Sequence, residues 1–164
     1  MNVLNSQSAN TRPNRAQVRN RLLTQASDSD FALLSAHLQL TSLERGIVLA
    51  SPDQPIEHVY FLENGIGSVV AGNTADGHVE IGMFGREGFA PWEVAFGADQ
   101  TPHRLRIEAP GEAWRIRSGA LRAAVEESDT LREILFRYLR AMTVQTAYTA
   151  LSNAVDTVKQ RLAR

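Results

Sequence analysis

Apolar positions change their spacing twice along the chain. In the first stretch Val18, Leu22 and Leu23 line one side of a segment from about Asn14 to Gln25, the spacing of a helix. Ser27 followed three residues later by Asp30 has the form of a cap. Phe31, Leu34 and Leu38 then fall on one face of a second predicted helix. From Ile47 onward the apolar runs are short. They predict strands at Ile47–Ala50, His58–Leu62, Gly67–Ala71, Val79–Phe84, Arg104–Glu108 and Ala113–Arg117. Turn signals separate them: Ser51-Pro-Asp-Gln-Pro55, Glu63-Asn-Gly65, Asp76-Gly77, Gly85 and Ala109-Pro-Gly111. Asp76-Gly77 has the strongest hairpin chemistry of these.

The last stretch returns to helical spacing. Ser118–Glu127 reads as a short helix, and a second starts at Asp129 or Thr130 and runs toward Arg164. At 1.5 Å per residue it would be roughly 50 Å long, more than a small domain needs to cover itself. Ala141, Val144, Tyr148, Leu151, Val155, Val158 and Leu162 recur at alternating steps of three and four, a heptad seam. Such a stripe can pack on its own domain or on a second helix. A separate stripe, Leu131, Leu135, Tyr138 and Met142, occupies the first half. The expected arrangement therefore packs that half on the β region and offers the seam to a partner, making a homodimer.

Glycine and proline sharpen these boundaries. All 11 glycines and five of the six prolines lie between residues 46 and 119. The parse is helices, a turn-rich β region, then helices, without the strand–helix alternation of a parallel sheet. The predicted fold class is mainly β with flanking helices, a sandwich, jelly roll or small barrel carrying two N-terminal helices and a long C-terminal helix. Residues 1–13 are polar and read as a disordered tail, 14–128 as the β domain with its N-terminal helices, and 129–164 as the dimerisation helix.

Charge and composition narrow the chemistry. Seventeen basic residues against 18 acidic ones give a net charge of −1, which excludes a generally basic nucleic-acid coat. The chain has no cysteine, so disulfides, thiol chemistry and Cys-ligated metals are excluded. No apolar run reaches membrane-spanning length and the N-terminus lacks a signal-peptide core, so a cytoplasmic protein that does not contact membrane is the expectation.

Gly46-Ile-Val-Leu49, Pro55-Ile-Glu-His-Val-Tyr-Phe61, Gly65, Ser68, Asp76-Gly77, Val79-Glu80-Ile-Gly82 and Gly85-Arg-Glu-Gly88 follow one another in an order and spacing that resemble the Crp/Fnr family of bacterial transcription regulators. The resemblance runs from about Arg21 to Arg164 and is to the sensor part, a cyclic-nucleotide-binding-like β-roll plus dimerisation helix. Val158-Lys-Gln-Arg-Leu-Ala163 looks like the hinge into the family's DNA-binding domain. The resemblance implies a regulatory domain that senses a small-molecule effector of unknown identity. It would dimerise through its long helix and reach DNA only through a winged helix-turn-helix absent from this chain. Gly82, Gly85 and Gly88 would serve either a tight corner of the roll or the approach of a ligand.

The family's nucleotide binders hold phosphate with Gly-Glu and, about ten residues on, Arg followed by Ser or Thr. This chain has Gly88-Phe-Ala-Pro-Trp-Glu-Val-Ala-Phe-Gly97 instead, with no Gly-Glu pair. The Arg-Ser position falls on Thr101-Pro102. Glu93 could replace the ribose carboxylate, and Arg104 the phosphate guanidinium, only with a shifted register. His103 lies beside that position, and Thr146 falls where the family's helix touches a base. Gly88, Glu93, Gly97, Thr101, His103, Arg104 and Thr146 are therefore the ligand-pocket candidates, and cyclic AMP is not the expected ligand.

Other classes fit less well. A cupin-type metalloenzyme needs converging His and carboxylate ligands, and His37, His58, His78 and His103 are each isolated. No phosphate loop or nucleophile triad appears, so neither an enzyme, a metal nor a cofactor is expected. The remaining alternative is a dimerisation or protein-interaction module with a vestigial pocket.

Overall fold

The computed structural model describes residues 13–72 and 79–155. A single 3-10 turn, Arg15–Gln17, precedes helices α1 (Arg21–Gln25) and α2 (Asp28–Ser35). Eight strands follow: β1 (Gln39–Leu43), β2 (Val48–Ala50), β3 (His58–Leu62), β4 (Ile66–Ala71), β5 (Val79–Phe84), β6 (Phe89–Ala90), β7 (Arg104–Ala109) and β8 (Gly111–Arg117). A 3-10 turn, Trp92–Phe96, separates β6 from β7. Helices α3 (Ser118–Glu127) and α4 (Asp129–Val155) end the described chain. The strands form two antiparallel four-stranded sheets, ordered β1-β8-β3-β6 and β2-β7-β4-β5, the double sheet of a jelly roll.

Alternation on each strand builds two cores. Leu62 and Ala113 face Val69, Leu105 and Ile107 across the roll, and all five are buried. Val59, Phe61, Trp114 and Ile116 point the other way and join the helices in a second core. Phe61 stacks on Phe89 at 5.5 Å between ring centroids, and Phe89 meets Tyr138 of α4 at 5.4 Å. The expected stripe Leu131, Leu135, Tyr138 and Met142 is buried throughout, so the first half of α4 belongs to the roll. Each such side chain contributes roughly 1.5–3 kcal/mol by leaving water.

Three sequence-based expectations change. The helix expected over Asn14–Gln25 is broken at Asn20, whose buried side chain accepts from the Leu22 and Leu23 N–H groups and starts α1 there. The same amide donates to the carbonyls of Leu62 (3.0 Å) and Gly88 (2.8 Å), and the Glu63 carboxylate accepts the Arg19 and Asn20 N–H groups. An unbroken helix would use those N–H groups internally. Second, β1 was not anticipated, because it pairs only with β8 and its polar residues Gln39, Thr41 and Ser42 resemble a loop. Third, β6 is two residues long and has no readable period.

The cap expected at Ser27 is present, but Ser118 does not cap α3: it is the first residue of the helix and its hydroxyl donates to the Ile56 carbonyl. Ser27 accepts the Asp30 N–H at 3.1 Å. The buried Asp30 carboxylate accepts Ser128 Oγ (2.5 Å) and Thr130 Oγ1 (2.7 Å), while Ser128 Oγ also takes the Leu131 N–H. One carboxylate thus ties the start of α2 to the start of α4. Strands β4 and β5 pair as a hairpin requires, Ala71 opposite Val79; the Asp76-Gly77 turn lies outside the described residues. So does the expected tail apart from Pro13, which is buried, and so do Val158, Leu162 and the hinge.

Candidate functional site: the cavity beneath the long helix

The 3-10 turn Trp92–Phe96 is fixed by what it buries. Val94 and Ala95 enter the helical core, and Gly97, at φ 84°, closes the turn by donating its N–H to Glu93 and Val94. Only a residue tolerant of the left-handed region closes it in this way. Trp92 and Phe96 are thereby set facing α4. Between them and the helix lies a cavity of about 400 Å3, walled by Ile81 of β5, Trp92, Phe96, His103 and the α4 residues Leu139, Met142, Thr143, Thr146, Ala147 and Ala150. It is mostly apolar with a few polar groups, the composition of many small-molecule sites.

The polar groups come from the loop before β7. Thr101 is buried; its hydroxyl donates to Glu93 Oε1 and accepts the His103 N–H at 3.2 Å. Glu93 and His103 are therefore both organised by one hydroxyl. Glu93 Oε2 and His103 Nδ1 are buried without a hydrogen-bond partner among the described residues. Thr143 spends its hydroxyl on the Leu139 carbonyl at 3.0 Å, whereas Thr146 makes no such bond. Loop backbone bonds from Asp53 to Thr101 (3.1 Å) and from Ile56 to Asp99 (2.7 Å) hold the segment against the roll.

Of the seven pocket candidates, the structure brings His103 and Thr146 to this cavity, with Glu93 and Thr101 coupled to His103 through hydrogen bonds. Arg104 stands elsewhere. It alternates with the buried Leu105 and Ile107 on β7, sharing with Arg106 the exposed side, so its guanidinium does not reach the cavity. Gly97 is exposed and serves the turn. Gly88 serves close packing: a Cβ there would lie 2.1 Å from Tyr138 Cζ. The walls Ile81, Phe96, Leu139, Ala147 and Ala150 were not singled out from sequence, because apolar residues carry the same pattern whether they line a cavity or fill a core.

The outer face of α4 is apolar as well. Val144, Tyr148, Leu151 and Val155 are 49, 58, 55 and 67 % exposed. Ala141 is exposed beside them, and the exposed rings of Phe96 and Phe136 meet in a tilted contact at 5.4 Å between centroids. Among the described residues no helix is long and apolar enough to cross a membrane. Among the same residues no group of three or more His, Cys, Asp or Glu could hold a metal ion.

The sequence matches no family model and no curated protein. Solved structures do match. A putative transcriptional regulator of the Crp/Fnr family from Eubacterium rectale superposes with a TM-score of 0.74 at 9 % identity, over 87 % of this chain and 67 % of that one. CLP of Xanthomonas campestris, a c-di-GMP-responsive global regulator, gives 0.69 at 19 % identity over 84 % and 70 %. The regulatory subunit of a cAMP-independent protein kinase A from Trypanosoma brucei gives 0.65 at 12 % over 88 % and 52 %. The chain therefore has the fold of Crp/Fnr-family regulators and cyclic-nucleotide-binding sensor domains, a jelly roll with a long helix packed across it.

Proposed function

We propose that this chain is the effector-sensing and dimerisation domain of a Crp/Fnr-type transcription regulator, and that its effector is not cyclic AMP. The observation that carries the reading is the cavity shared between the roll and α4. An occupant would touch the inner side of the same helix whose outer side presents Val144, Tyr148, Leu151 and Val155. Occupancy and the pairing of two helices would then be coupled through one rigid element. The rejection of cyclic AMP rests on charge. A phosphate taken out of water needs a replacement for its hydration, ordinarily an arginine fork. Among the described residues no arginine lines this cavity, and the polar atoms nearest it are a carboxylate, an imidazole and hydroxyls. That set favours a neutral or cationic ligand with hydrogen-bond donors and apolar bulk for Trp92 and Met142. DNA contact would belong to a separate helix-turn-helix domain.

Calorimetric titration with cyclic AMP tests the exclusion; no heat of binding up to millimolar nucleotide is expected, and micromolar binding would overturn it. A thermal-shift panel of metabolites tests sensing. A stabilising compound should lose its effect in His103→Ala; a panel in which nothing shifts would favour a module with an empty pocket. For dimerisation, sedimentation of Leu151→Asp/Val155→Asp should show monomer where the parent is dimer, because two charges per helix would enter the seam.

A further inference from the structure

A second site lies at the far end of the roll's inner face. Residues paired across antiparallel strands share a face, so the register defines successive rows. The first is Leu62 with Ala113, both buried in the core between the sheets. The next is Tyr60 with Arg115, extended by Gln39 on β1, and the last is His58 with Arg117. The face thus runs from apolar to strongly basic within four residues of β8. Beside these rows is a cavity of about 420 Å3 lined by Ala36, His37, Leu38, Gln39, His58, Arg115, Arg117 and Ala120. Two arginines and two histidines line it, and among the described residues no carboxylate does. It shares no residue with the cavity beneath α4.

The fold leaves most of these guanidinium donors unspent. Neither forms an ion pair with a described residue. Arg115 reaches Gln39 Oε1 through Nη2 at 3.3 Å, while its Nε is buried and has no hydrogen-bond partner among the described residues. A buried guanidinium nitrogen without an acceptor is costly, and folded proteins rarely keep one without a use. Burial holds the His58 imidazole below its ordinary value, and the Arg115 and Arg117 charges push the same way; only Glu57, outside the cavity lining, opposes them. Among the described residues only Glu57 offsets this positive potential, and it stands outside the lining.

We propose that this cavity binds a small oxyanion, a phosphate or carboxylate group carried by a ligand, with the Arg115 fork as its anchor and Arg117, His58 and His37 as further donors. Planar guanidinium and oxyanion meet through two parallel hydrogen bonds, and the Nε left free here is one of the donors such a bond uses. The apolar walls of Ala36, Leu38 and Ala120 leave the guanidinium and imidazole groups as the cavity's polar donors.

Inorganic phosphate and malonate, each titrated into the protein at constant ionic strength, test the site. Saturable binding of either is expected, seen as heat and as a rise in melting temperature. Phosphate alone binding would assign a phosphoryl ligand, and malonate alone a carboxylate. Arg115→Gln should weaken binding about tenfold or more. Arg117→Gln, at an exposed position where folding is not at stake, should weaken it severalfold, and Arg104→Gln on the other sheet should not. No saturable binding, or equal binding in all three variants, would overturn the proposal.

Discussion

Replacing Asn20 with Ala should cost the protein a large part of its stability. The Asn20 side chain, fully buried, makes four hydrogen bonds: two accepted from Leu22 and Leu23 N–H groups and two donated to the Leu62 and Gly88 carbonyls. Loss of the cap alone costs about 1 kcal/mol. Depriving buried carbonyls of their donor adds roughly 1–3 kcal/mol each, less whatever an entering water recovers. A total of about 3–5 kcal/mol follows, against a whole-domain stability of roughly 5–15 kcal/mol. For a chain of this size that lowers the melting temperature by about 10 °C. Urea unfolding followed by circular dichroism measures it, with exposed Gln17→Ala as the control. Asn20→Asp separates the two roles. It keeps the oxygen that caps α1 but turns an oxygen toward the two carbonyls, so it should be at least as harmful. An Asn20→Ala loss below about 1 kcal/mol, or an Asn20→Asp protein close to the parent, would refute the role of Asn20 as the link between α1 and the roll.

Asp30 sets an acid limit on stability. Burial opposes its charge, but hydrogen bonds from Ser128, Thr130 and Ser27 outweigh it and hold the carboxyl below its ordinary value. A depressed folded pKa means stability present above about pH 4 and lost as pH falls through the folded value. Asp30→Asn should therefore cost about 2 kcal/mol at pH 7, with the gap to the parent narrowing below about pH 4 in acid titrations of unfolding. Gly88→Ala should destabilise by about 2–3 kcal/mol, since its Cβ would meet the Tyr138 ring; adding Tyr138→Leu should return part of that, which paired denaturation curves would show.

Much of this fold follows from local pattern. Short apolar runs cut by Gly and Pro specify an antiparallel β domain of the sandwich, jelly-roll or barrel kind, since such strands bury a face only by packing sheet on sheet. The Leu131–Met142 stripe likewise determined which side of α4 meets the roll, because a 3.6-residue period leaves one buried face. Ser27 and Asp30 announced their cap, as capping needs only neighbours in sequence. Where the effect is non-local, the sequence was silent. Gln39–Leu43 is a strand only because β8 offers it an edge. Asn20 breaks a helix only because Leu62 and Gly88, 42 and 68 residues away, need its donors. The two cavities were decided the same way. His103 and Thr146 share one because α4 crosses the roll above Trp92 and Phe96. Arg115, Arg117 and His58 share the other because strand register stacks them at the end of one face, and the turn after α2 brings His37 beside them. Spacing along a chain states which side a residue faces; only the register of distant strands and the path of a helix state what it faces.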